Sequence, residues 1–197
     1  TQEKVTTVSP KLAQLQAMEA RTPVLDFTSD PEALKSLVFH GPRDYTLIVS
    51  ISSSTKNLPC PMCAYVRLAL ADRTPEMAIF PSDSPSNICF ASFSQAFDPD
   101  FESVARVHST MKNKSDRLFF VRIDAGRLPK ELFTILQTKV TALPFVFKLN
   151  PVKAKGVKFN FDDRSVYYQL QQGDVGLAVW VNSQTDVHVR SAFSKSF

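Results

Sequence analysis

The chain has 197 residues, 44% of them hydrophobic, with 23 basic and 19 acidic side chains for a formal charge of +4. That much apolar material fills one sizeable core, so a single domain over residues 1–197 is the simplest organisation. The charges are scattered rather than gathered into a basic stripe, which argues against nucleic acid as a partner, and no apolar run approaches the roughly 20 residues needed to span a bilayer.

The first residues, Thr1-Gln2-Glu3-Lys4, lack an initiator methionine and an apolar leader, and read as the start of a processed or excised fragment. Val8, Leu12, Leu15 and Met18 then recur at helical spacing behind Ser9 and Pro10, a cap and a first-turn proline. Val24 to Phe27 reads as a short strand. Asp30-Pro31-Glu32 opens a helix through Leu34, Leu37 and Val38 that Gly41-Pro42 stops. Tyr45 to Ile51 is a continuous apolar run of the kind found in a buried strand, and the polar loop Ser52 to Pro59 follows it.

Beyond the loop, Ala64 to Ala71 reads as helix, and the proline- and serine-rich stretch 74–94 as an irregular surface insertion. Asp98-Pro99-Asp100 restarts a helix carrying Phe101, Val104, Ala105 and His108 on one side. Leu118 to Ile123 is a second apolar strand, and Leu128 to Leu136 returns to helical spacing. Ala142 to Phe147 is a proline-led strand, Val166 to Leu170 its hairpin partner, and Val175 to Val181 a closing helix. Strands alternating with helices, ending in a hairpin and a helix, predict an α/β fold with a central mixed sheet flanked by helices.

The chemistry is concentrated in Cys60-Pro61-Met62-Cys63. A CxxC between a strand and a helix is the thioredoxin arrangement. A cysteine at the start of a helix meets unpaired backbone N–H groups and the positive end of the dipole, which stabilise its thiolate. Cys60 is therefore the expected attacking sulfur, and Cys63, one turn on, the sulfur that resolves a mixed disulfide. Pro61 suits the first helical turn, and Met62 offers an apolar, adaptable contact beside the reactive sulfur. Leu143-Pro144 heads an apolar strand, where a thioredoxin-like fold places a cis proline facing the disulfide and leaves the backbone of the preceding residue free to pair with an extended peptide. An ordinary edge-strand proline is the alternative for Pro144. For the cysteines, the alternatives are a zinc site completed by Cys89 and His108, which lacks a second close pair, and a purely structural disulfide. No cofactor is called for. Asn113-Lys114-Ser115 matches the N-glycosylation sequon, which matters only in a secretory compartment.

The run Gly41 to Val49, followed by a loop and the CxxC, resembles the thioredoxin-like lumenal domain of the oligosaccharyltransferase accessory oxidoreductase subunits, the yeast 3/6-type subunits and their animal homologues. Phe97 to Ala105 is similar to that family's helix beyond the cysteines, and Leu118 to Asp124 to its apolar strand ending in an acid. Trp180 with Thr185 to Arg190 is similar to its closing segment, and the opening helix and Pro23-Val24-Leu25 also fit. One difference is plain: in the family the helix like Phe97 to Ala105 follows the second cysteine almost at once, whereas here residues 64–94 intervene. The helix carrying the motif is then either Ala64 to Ala71 or the later segment.

The resemblance implies a lumenal domain of an endoplasmic reticulum membrane protein, attached through transmembrane helices that this chain does not contain. It implies a thiol-disulfide oxidoreductase that captures nascent cysteine-containing polypeptides as mixed disulfides through Cys60, releases them through Cys63, and works beside other oligosaccharyltransferase subunits without itself transferring sugar. Pro61, Met62, Leu143 and Pro144 are the expected substrate-binding residues. No tryptophan precedes Cys60 and no acid lies within Thr46 to Ile51, so turnover is expected to be slow.

Overall fold

A computed structural model of the chain describes residues 9–27, 29–52, 87–128, 130, 134, 143–157, 165–167 and 172–190, with backbone only for 87–96. Cys60-Pro61-Met62-Cys63, the expected helix 64–71, residues 74–86 and most of the expected helix 128–136 lie outside the described residues.

The sheet is built on β3 (Thr46–Ser52) and β4 (Leu118–Asp124), which pair in parallel from Thr46 opposite Leu118 to Ser52 opposite Asp124. β1 (Val24–Asp26) adds in parallel to the far side of β4. β5 (Phe145–Leu149) runs antiparallel to β3, with Phe145 opposite Ile51, and β7 (Val166–Tyr167) runs antiparallel to β5. The order is β1-β4-β3-β5-β7, a mixed sheet.

Strand alternation divides the core into two layers. Leu47, Val49 and Ile51 of β3, Phe119, Val121 and Ile123 of β4, and Phe145, Phe147 and Leu149 of β5 face one side. Packed on them are Leu12 and Leu15 of α1 (Pro10–Glu19) and Leu34, Leu37, Val38 and Phe39, from the π-helical turn Leu34–Phe39 that continues α2 (Pro31–Ala33). Ile48, Leu118, Phe120 and Val146 face the other side. There they meet Phe97, Phe101, Val104 and Ala105 of α3 (Asn87–Thr110) and Leu177, Ala178 and Val181 of α4 (Gly173–Gln184). Every one of these strand residues is buried, which is why the strands read as unbroken apolar runs instead of alternating ones.

The start of α1 forms as its sequence directs: Ser9 accepts a hydrogen bond from the Leu12 N–H, and Pro10 occupies the first turn. Two elements differ from expectation. α3 begins at Asn87 and runs through Pro99, so residues 87–94 of the stretch expected to be irregular are helical. A proline inside a helix removes one backbone hydrogen bond, and here Phe97 and Phe101, both buried against the sheet on either side of it, hold the axis together. Gly41-Pro42, expected only as a helix stop, lies within β2 (His40–Arg43), which pairs antiparallel with β6 (Val152–Val157) as a second, two-stranded sheet. β6 thus separates β5 from β7 along the chain, while β5 and β7 remain neighbours in space.

Candidate functional site

The two ends of the five-stranded sheet have different chemistry. At the carboxyl end of β3 and β4, where the chain leaves for Cys60 eight residues beyond Ser52, polar groups gather on the α3 side. Ser52 is buried opposite Asp124, itself buried, and the Asp124 carboxylate accepts from the Gly126 N–H at 2.9 Å. The Ser52 hydroxyl donates to Asp98, which α3 brings down just before Pro99. Arg122 Nη2 pairs with Asp26 at 3.2 Å, next along the same edge. Burial pushes the Asp98 carboxyl above the ordinary aspartate range; Arg122 and Ser52 oppose the rise, and the charges of Asp124 and Asp26 add to it. One oxygen of Asp98 is buried with no hydrogen-bond partner, as is the Ser50 hydroxyl two residue pairs further into the sheet.

Leu143 and Pro144 sit at this same end. Phe145 stands opposite Ile51, so the two residues before it lie beside Ser52, and both are buried. The Leu143-Pro144 peptide bond is cis, as the sequence reading expects; Gly41-Pro42, within β2, is cis as well. Of the expected site residues, the described part of the chain contains Leu143 and Pro144; Cys60, Pro61, Met62 and Cys63 lie outside it. The carboxyl ends of parallel strands are where open α/β sheets place their ligands, because the loops there are free to vary without disturbing the sheet.

Asp98 is the residue that sequence reasoning misses. The triplet Asp98-Pro99-Asp100 is an ordinary helix-start pattern, and the reading that no acid lies in Thr46 to Ile51 searches only the strand. Besides Asp124 on β4 and Asp26 on β1, a further acid arrives at this end from α3 across the sheet face. A signal was available in the spacing: Asp98 follows Phe97 directly, and Phe97 and Phe101 belong to the buried side of the helix.

His108, weighed with Cys89 as a zinc ligand, lies at 0% exposure in the core, its ring 5.6 Å from that of Phe120 and its Nδ1 3.7 Å from Glu19 Oε1. Glu19 is also held by Lys114, at 3.2 Å. Among the described residues, no group of three or more His, Cys, Asp or Glu side chains could hold a metal ion, and no helix is long and apolar enough to cross a membrane.

The opposite end of the sheet carries a cleft of about 1120 Å³, bordered by Lys11, Arg43, Asp44, Arg117 and Asn150. Lys11, Arg43 and Arg117 are committed to the fold. Lys11 Nζ donates to the carbonyls of Ser36 and His40 at 2.8 and 2.9 Å, and Arg43 donates to those of Val38 and Asn150 at 2.9 and 3.0 Å. Arg117 faces Asp44 at 3.7 Å, and Asp44 also accepts from Ser9 at 2.7 Å. The bonds to Ser36, Val38 and His40 satisfy carbonyls at the end of the π-helical turn, which is structural work.

Compared with models of known protein families and with curated proteins, the chain matches none.

Proposed function

We propose that this chain is a thioredoxin-like thiol-disulfide oxidoreductase domain of the oligosaccharyltransferase complex, facing the endoplasmic reticulum lumen and holding nascent polypeptides while they are glycosylated. The observation that carries the reading is the placement of Leu143-Pro144 beside Ser52, at the sheet end from which the chain departs towards Cys60. A mixed central sheet with helices on both faces is compatible with a thioredoxin-like fold.

In the oxidised domain, a thiolate of the nascent chain attacks Cys60 Sγ of the Cys60–Cys63 disulfide. The S–S bond between Cys60 and the substrate forms, the intramolecular bond breaks, and Cys63 leaves as thiolate. Cys63 then attacks Cys60 Sγ, restoring the disulfide and releasing the substrate thiolate, so that no net oxidation occurs. While captured, the chain is held at high effective concentration near the glycosyltransferase, which belongs to other subunits. Pro61, Met62, Leu143 and Pro144 line the peptide's path, and main-chain pairing with the residue before Pro144 adds selectivity. Transmembrane helices beyond this chain provide the membrane attachment. The second reading is a peptide-binding module in which the cysteines form a static staple.

The test uses the reduced chain and a cysteine peptide activated as its thiopyridyl disulfide. Cys60 attacks the peptide sulfur and thiopyridone leaves; Cys63 then frees the peptide. Cys63→Ser should accumulate the protein–peptide disulfide, Cys60→Ser should accumulate little, and wild type should release peptide. Equal trapping by both single variants would sink the division of roles, and no exchange in wild type would favour the staple.

A further inference from the structure

The turn between α3 and β4 carries Asn113-Lys114-Ser115, the single Asn-x-Ser/Thr triplet in the sequence. Its local structure separates the three side chains. The Lys114 N–H donates to the Met111 carbonyl at 3.3 Å, which makes Asn113 the third residue of a four-residue turn, a position asparagine tolerates well. The Leu118 N–H donates to the Ser115 carbonyl, also at 3.3 Å, and opens a second turn into β4. Lys114 reaches down to Glu19 at the end of α1. Asn113 is exposed and Ser115 half-buried. The triplet is thus presented on a short surface turn, its asparagine outward, and its central residue anchors the turn to the body of the protein.

We propose that Asn113 is an N-glycosylation site. The donor is a lipid-pyrophosphate-linked oligosaccharide. The Asn113 carboxamide nitrogen attacks the anomeric carbon of the sugar, the C–N bond forms, the bond from that carbon to the pyrophosphate oxygen breaks, and the lipid pyrophosphate leaves with the electron pair. The amide proton passes to a base of the transferring enzyme. The assignment rests on the lumenal placement proposed above, because the donor is found in that compartment.

The topology also separates Asn113 from the proposed thiol site. Asn113 precedes the amino end of β4, and β3 runs parallel to β4, so the segment leading to Cys60 departs from the far end of the same strands. Seven residues of strand put roughly 20 Å between the two ends. Asn113 itself is thus at the end of the strands remote from Leu143-Pro144.

The experiment expresses the full chain behind a cleavable signal sequence in a eukaryotic secretory host, with an added Asn-Gly-Thr in a flexible tail as a reporter of lumenal entry. The expected result is a mobility shift beyond the reporter's own, removed by endoglycosidase, mapped to Asn113 by mass spectrometry, and lost in Asn113→Gln and Ser115→Ala. Ser115→Thr should raise occupancy. A glycosylated reporter on a secreted chain whose Asn113 is bare overturns the proposal. Thiol exchange with the activated peptide, read as thiopyridone release, is measured on unglycosylated bacterial protein and on the glycosylated form, and equal rates are expected. Occupied Asn113 with no exchange would remove the oxidoreductase reading and leave the modification standing, whereas exchange with a bare Asn113 would do the reverse.

Discussion

Acidification should unfold this protein partly through one imidazole. His108 is at 0% exposure, and neither ring nitrogen has a hydrogen-bond partner. Burial pushes its pKa down to about 4 from the usual 6.5, with the Lys114 ammonium adding to the shift. The unfolded chain therefore binds a proton as pH falls through 6.5, while the folded chain refuses it until near 4. Stability is complete above pH 6.5, declines across this window, and loses the whole contribution below pH 4. At about 1.4 kcal/mol per pKa unit the contribution is roughly 3 kcal/mol, a large part of the 5–15 kcal/mol that holds a typical domain. His108→Leu removes the titration, fills a similar space beside Phe120, and leaves the Glu19–Lys114 pair in place. Urea unfolding followed by the single tryptophan, Trp180, at a series of pH values from 7 to 4 measures the difference directly. Wild type should lose stability relative to His108→Leu by roughly 3 kcal/mol across that series. A constant difference between the two proteins at every pH would refute the assignment.

Asp98 titrates in the opposite sense. Its folded-state pKa is raised, chiefly by burial, so its ionisation costs stability as pH rises through the folded value, and that cost is absent below the unfolded pKa. Asp98→Asn should be more stable than wild type in urea at pH 7, with the advantage shrinking on acidification; a loss of equal size at every pH would show that the carboxylate is needed for its hydrogen bonds instead. At Gly41 an added Cβ would run into the Ala154 carbonyl oxygen across the β2–β6 pair. Gly41→Ala should lower stability by about 1–3 kcal/mol, and unchanged thermal unfolding would mean that β2 and β6 separate more easily than their pairing implies.

The parts of the fold most legible in the sequence are those where a local pattern and the tertiary outcome agree. Ser9-Pro10 caps α1, and the apolar runs at Leu47 and Leu118 become central strands because helices cover both of their faces. Where long-range partners decide, the sequence says less. Gly41-Pro42 stops the helix as its composition suggests, the turn ending at Phe39, but nothing local foretells that β6, more than a hundred residues away, pairs with it as a strand. Pro99 looks like a helix start, yet buried phenylalanines on both sides carry the helix through it. The same applies to the candidate site. Leu143-Pro144 is visible because a proline ahead of an apolar strand is a local signal, whereas Asp98 approaches Ser52 only once α3 lies across the sheet.

Lys11 belongs to α1, but its ammonium is bound to carbonyls at both sides of the junction between the π-helical turn and β2, and Arg43 extends the clamp from Val38 to Asn150 beside β6. Three stretches remote from one another in the chain, around Lys11, 36–43 and Asn150, are thereby fastened together. Such a fastening should make the first helix and the small sheet exchange their amide hydrogens as one cooperative block. Opening of the polypeptide near the cleft is then expected to be an all-or-none event for that block.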